Sequence, residues 1–167
     1  MRIEVTKLTD VSLMQKACEF TINQKSKMSL LKIYQCEHSP MRTQLFWVEM
    51  YDIPTFISVH FRTHSIGVTH YVKSNREDRP GFTGDEGRMQ PVNHAMLINA
   101  QELINIARKR LCSKAHKLTQ DVMWEMCRQV GTVDEELLPY LVPECEYRNG
   151  CHELKPCGRY ELEKGNW

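Results

Sequence analysis

The sequence predicts an α+β fold, dominated by helices, with a small antiparallel sheet. Three observations predict it. Two stretches, residues 2–7 and 44–51, have the alternation or the branched and aromatic content of strands. Several longer stretches repeat apolar residues at helical spacing. Between them, Asn75 to Asn93 carries three glycines, two prolines and dense charge, the composition of a long loop.

The elements follow in chain order. Arg2 to Lys7 alternates and suits a short edge strand. Asp10 is placed to cap a helix running to about Phe20, with Leu13, Ala17 and Phe20 as its stripe. Ser26 is a candidate cap for a second helix bearing Leu30, Leu31, Ile33 and Tyr34. That helix should stop before His38-Ser39-Pro40, because the residue ahead of a proline disfavours the α region. Gln44 to Tyr51 reads as a strand, and Pro54 suits the first turn of a helix from Thr55 to about Arg62. After the 75–93 loop, helical stretches are expected near His94 to Cys112, Thr119 to Val130 and Asp134 to Tyr140. The tail from Pro143 is short of core-forming residues and should be irregular.

Composition bounds the function. A chain of 167 residues suffices for one domain, which buries about 70% of the surface its unfolded form exposes. Lys and Arg number 22 against 21 Asp and Glu, so the formal charge is +1 and a polybasic nucleic-acid binder is disfavoured. No apolar run approaches the roughly 18 residues of a membrane span, and Met1-Arg2-Ile3-Glu4-Val5 does not open a signal peptide. A soluble protein of the cytoplasm is expected. Seven cysteines are many for such a compartment and an odd number for a disulfide framework.

Two regions concentrate chemistry. Val59 to Arg79 groups His60, His64 and His70 with Arg62, Arg76 and Arg79 around Gly67. Histidines four apart share a helix face, but no carboxylate sits at a matching spacing, so a metal is disfavoured there. Arginines, hydroxyls and a glycine suit an anion such as a phosphate, because guanidinium grips it bidentately; a solvated charged loop is the plainer alternative. The helix through residues 98–112 should bury Leu97, Ala100, Ile104, Ala107 and Leu111. Asn99, Gln101, Asn105, Arg108 and Arg110 are then left on its polar face, either merely exposed or available to a base edge and a phosphate.

In order along residues 15 to 130, these segments resemble the flavin-dependent thymidylate synthases, and most closely their short phage and prophage branch. That family has a His-x-Ser-Pro turn, a strand, a helix, the motif Arg-His-Arg-x-x-Ser-x-Asn-x-x-Ser-x-Arg-Tyr, and a later helix opening Asn-Ala-Arg. Here His38-Ser39-Pro40 and the strand Phe46 to Tyr51 stand at the turn and strand. His64 falls on the central histidine, Asn99-Ala100-Gln101 on Asn-Ala-Arg, and Arg110 on the arginine closing that helix. The departures are Thr63 and Ser65 at the flanking arginines and Val68 and His70 at the Ser and Asn positions. A one-residue slip is needed to align Ser74 and Arg76, and Arg62 lies one residue from the first missing arginine.

The resemblance implies a thymidylate-synthase-complementing-like domain over residues 1–142. It implies reductive methylation of deoxyuridylate, with methylenetetrahydrofolate giving the carbon and FAD, reduced by NADPH, the hydride. Its sites would lie between the subunits of a homotetramer. By position, Ser74 and Arg76 are the catalytic candidates. Arg76, Arg79, Gln101 and Arg110 would bind the pyrimidine nucleotide, and Arg62, His64, His70 and Asn99 the cofactor. Cys112 would not be catalytic in such a scheme. Because both flanking arginines are absent, a catalytically altered nucleotide-binding or assembly protein is the alternative. Transfer of a different one-carbon group is equally compatible.

The tail, residues 143–167, lies outside this pattern and is not expected to be a separate domain. Cys145, Cys151 and Cys157 are spaced by five intervening residues, twice. With a glycine turn nearby they could hold zinc or an iron–sulfur cluster, with Cys112 or His152 as fourth ligand. Free thiols are the alternative. Metal binding would explain how a core-poor tail stays folded.

Overall fold

A computed structural model of the chain describes residues 1–74, 76–80, 82, 84 and 87–159. Four antiparallel strands form one sheet in the order β1-β2-β4-β3: β1 (Arg2–Lys7), β2 (Leu45–Pro54), β3 (Val68–Val72) and β4 (Pro91–Asn99). The helices are α1 (Val11–Ile22), α2 (Leu30–Gln35), α3 (Thr55–Arg62), α4 (Ala100–Arg110), α5 (Lys117–Val133) and the short α6 (Glu144–Tyr147), joined by 3-10 turns at Ser39–Thr43 and Leu138–Tyr140. The α+β class expected from the sequence is the one found.

Alternation along the two central strands decides which sheet face is covered. Phe46, Val48 and Met50 of β2 and His94, Met96 and Ile98 of β4 are buried beneath the helices. Trp47 and Tyr71 meet on the opposite face with ring centroids 5.3 Å apart. A bulge between Met50 and Ile53 puts Asp52 in the left-handed region at φ 54° and returns Ile53 to the core. The core closes with Met14 and Cys18 of α1, Ile33 and Tyr34 of α2, Phe61 of α3, Leu103 and Ala107 of α4, and Met123 and Met126 of α5.

Several boundaries differ from the sequence reading. His94 to Asn99 is strand, not the start of a helix, and β3 lies in a stretch read as charged loop. Asn99 is the switch: its Oδ1 accepts from the Glu102 backbone N–H at 2.9 Å, capping α4. The expected Asp134–Tyr140 helix is only a turn, because α5 runs on to Val133 and Asp134 ends it. The α1 stripe is rotated by one residue. Met14 and Cys18 are buried, whereas Leu13 is exposed and Phe20 is 90% exposed. Ser29, not Ser26, caps α2, and the tail gains one helical turn, α6. Among the described residues no helix is long and apolar enough to cross a membrane.

Candidate functional site

The end of α3, the start of β3 and the start of α4 converge on one junction. Gly67, at φ +76°, turns the chain from α3 into β3, and its carbonyl accepts from the Asn99 N–H at 3.0 Å. A Cβ at Gly67 would stand 2.5 Å from Asn99 Nδ2, so glycine is needed for both its conformation and its closeness. Around this turn lie His64, His70 and Asn99, three of the residues singled out in the sequence.

His64 Nδ1 lies 3.1 Å from Oε1 of the buried Glu102. A carboxylate only accepts, so Nδ1 carries the proton, and the buried Nε2 has no partner among the described residues. The other oxygen of Glu102 accepts from Asn105 Nδ2 at 2.9 Å. The His64 carbonyl accepts from His70 Nε2 at 2.7 Å, and His70 Nδ1 lies 2.9 Å from His94 Nε2. With His70 donating through Nε2, its Nδ1 accepts from His94, whose own Nδ1 is left buried and unpartnered. Burial, then the nearness of His70 and Arg62, lowers the His94 pKa to about 4.

Arg110 ties the far end of α4 to the end of α3. Its guanidinium donates to the His60 carbonyl and to Thr63 Oγ1, each at 2.7 Å, while its buried Nε has no partner among the described residues. Burial works against its charge. His60 and His64 do not share a ligand: His60 Nδ1 meets Thr119 Oγ1 of α5 at 2.9 Å, while His64 turns to Glu102. An open cleft of about 370 Å³ borders the junction, lined by Thr63, His64, Ser65, Asn105, Arg108 and Lys109 among others.

The remaining candidates lie elsewhere. Ser74, Arg76 and Arg79 are exposed beyond the end of β3, where Arg76 forms a bidentate pair with Asp78 at 2.8 Å. Arg62 is exposed at the end of α3. Gln101 donates to Glu37 at 2.6 Å, and Arg108 pairs with the same carboxylate while stacking 3.5 Å from the Tyr147 ring centroid. Much of the polar face of α4 is thus engaged within the chain. Burial opposes ionisation of Glu37, but hydrogen bonds from Arg108, Gln101 and Tyr147 outweigh it and lower its pKa. Cys112, Cys145, Cys151 and Cys157 line a separate concavity under the tail.

Glu102, Glu37, His94 and Tyr147 were not singled out from the sequence. Glu102 was the one with a local signal, as the acidic residue three positions after an Asn cap. Glu37 and His94 act through partners 24 to 71 residues away.

No protein-family model matches the chain, and no curated protein matches it in sequence. Solved structures do match its fold. Flavin-dependent thymidylate synthase ThyX from Helicobacter pylori, complexed with FAD and dUMP, superposes with a TM-score of 0.70 at 13% identity, covering 85% of this chain and all (100%) of that one. A second structure of that enzyme, also with FAD and dUMP, gives 0.67 at 12% identity over 85% and 99% of the two chains. The UMP/dUMP methylase PolB from Streptomyces cacaoi, bound with 5-Br dUMP, gives 0.60 at 11% identity over 83% and 94%. At these identities the shared property is the fold.

Proposed function

We propose that this chain is a flavin-dependent enzyme of the thymidylate-synthase type, transferring a one-carbon group to deoxyuridylate as a homotetramer. The observation that carries the reading is the junction itself. His64, His70 and Asn99, which the family resemblance assigns to the cofactor, meet around Gly67, and Arg110, assigned to the nucleotide, ties the far end of α4 to α3, in a fold shared with enzymes solved with FAD and dUMP. The residues there fit a flavin's polar edge. Ser65 supplies a hydroxyl, Lys109 a cation, and His64 a buried ring nitrogen without a partner among the described residues, all beside the cleft. A bound flavin, reduced by NADPH, would supply the hydride, and methylenetetrahydrofolate the carbon. The protein's own part is to hold both rings in a fixed polar frame, in which Glu102 sets the His64 tautomer and Arg110 ties α3 to α4. Ser74, Arg76 and Arg79 then serve the substrate from the β3 loop.

A second reading rests on a specific observation. Thr63 and Ser65 replace the two guanidinium groups of the family motif, while Gln101 and Arg108 are turned to Glu37. That arrangement favours a nucleotide-binding member that has lost flavin chemistry.

The deciding experiment combines the absorption spectrum of the purified full chain with deoxyuridylate titration and tritium release from 5-tritiated deoxyuridylate. The titration is repeated on Arg110→Lys. Flavin bands, tritium release and a nucleotide affinity about 10-fold or more weaker in the variant are expected for loss of a charge-assisted hydrogen bond. Nucleotide binding without flavin or release selects the second reading. Absence of both flavin and nucleotide binding overturns both.

A further inference from the structure

We propose that Cys112, Cys145, Cys151 and Cys157 form a tetrathiolate site for zinc that staples the C-terminal tail to the end of α4. The site is independent of the junction and of the reading given to it. Its first support is placement: four cysteines spread over residues 112–157 line one concavity of about 160 Å³. Cys112 follows α4, Cys145 lies in α6, and Cys151 and Cys157 come from the loop beyond.

Local geometry brings these cysteines to one concavity. Cys145 is an electrostatic neighbour of Cys112. After α6 the chain reverses through Asn149, at φ 52°, and the Gly150 N–H bonds back to the Cys145 carbonyl at 2.9 Å. That reversal returns Cys151 to the concavity, where it is 5% exposed. Cys157 lies beside Ser113, the neighbour of Cys112. Among the described residues no three of these side chains already stand as a ligating cluster, so metal binding requires the thiols to draw together.

Two further facts favour a metal over four idle thiols. Beyond Leu141 the buried apolar side chains described are Pro143 and Cys151 alone, and Leu154 is fully exposed. Such a tail has little hydrophobic reason to stay folded, and a structural metal converts binding energy into folding energy. The concavity is lined by Lys109, Lys114, Arg148 and Arg159 against Glu144 and Glu153, with Arg148 paired to Glu144 and Arg159 to Glu146, so Lys109 and Lys114 are its cations outside those pairs. Zinc bound by four thiolates carries a net charge of minus two, which Lys109 and Lys114 stand to offset. Binding releases the thiol protons to solvent, with no change of oxidation state.

The test uses the full chain, purified without chelator and dialysed against zinc. Stoichiometric zinc by native mass spectrometry is expected, lost in Cys145→Ser and Cys151→Ser and kept in Cys36→Ser, which lies outside the concavity. Cobalt substitution of the unaltered chain, which needs no variant to fold, should give thiolate-to-cobalt charge-transfer bands of a tetrahedral tetrathiolate. Chelation should expose the tail to protease before the rest of the chain. A chain that takes up no zinc overturns the proposal, as does zinc retained in both serine variants. Iron with sulfide in place of zinc overturns the metal. Zinc kept in Cys112→Ser but lost in His152→Ala overturns the assignment of the fourth ligand.

Discussion

His64 Nδ1 lies 3.1 Å from Glu102 Oε1, across the junction where α3 ends and α4 begins. The pair joins elements 38 residues apart and leaves Glu102 only 5% exposed, with Asn105 on its other oxygen. Glu102→Ala strands two buried donors at once and should cost about 2–3 kcal/mol in urea unfolding. Glu102→Gln keeps an acceptor for one of them and should cost less. Equal costs for the two variants would mean that packing, not the hydrogen bonds, holds the junction.

Gly67→Ala addresses the same junction through the backbone. The new methyl group would meet Asn99 Nδ2 at 2.5 Å in a left-handed conformation. Asn99 must then move, and the α4 cap it provides weakens. A loss of about 2 kcal/mol, the sum of strain and part of a cap, is expected by thermal or denaturant unfolding. A melting temperature equal to that of the unaltered chain would show that the turn relaxes freely.

What the sequence could reveal followed from how local each signal was. The helix Thr55–Arg62 begins at a proline and the strand before it is rich in aromatic and branched residues, so both were readable from neighbours alone. β4 was not. Val92, His94, Met96 and Ile98 alternate inward, but Ala95 and Leu97 are apolar on the other face, and no glycine or proline separates the strand from α4. Only Asn99 marks the change, and its meaning depends on Gly67, 32 residues earlier. The site divides in the same way. His64 and Arg110 stood out by pattern, whereas Glu37 and His94 matter only through partners that folding brings to them. Phe20 illustrates the limit of periodicity: it fits a helical stripe, yet Cys18 occupies the buried face.

Asp134 gathers three distant or local donors on a carboxylate only 3% exposed. Lys7 Nζ and the Tyr34 hydroxyl each reach Oδ2 at 2.7 Å, and the Leu137 N–H reaches Oδ1 at 3.1 Å. The contact ties β1, α2 and the end of α5 together, and burial with this hydrogen bond pushes the Tyr34 phenol well above its ordinary range. Asp134→Ala removes one partner of a largely buried ion pair and should cost about 3–5 kcal/mol. Tyr34→Phe leaves the Lys7 pair in place and should cost about 1 kcal/mol. A double-mutant cycle between Tyr34→Phe and Asp134→Asn measures their coupling, and additive losses would refute the shared carboxylate.

His94 makes the fold sensitive to acid. Its ring is 1% exposed, Nε2 is committed to His70, and burial, followed by the nearness of His70 and Arg62, holds its pKa at about 4. In the unfolded chain an imidazole titrates near 6.5. Between those values the unfolded chain takes up a proton that the folded one refuses, so the unfolded state gains as pH falls. Stability from this group is therefore complete above about pH 7, declines as pH drops through 6.5, and levels off below about 4, for a total of up to about 3 kcal/mol. Denaturant unfolding at pH 7 and at pH 4.5 should show the decline. In His94→Gln, where an amide can donate to His70 without titrating, the difference between the two pH values should shrink by most of that amount. An unchanged pH slope in His94→Gln would place the acid sensitivity in another group.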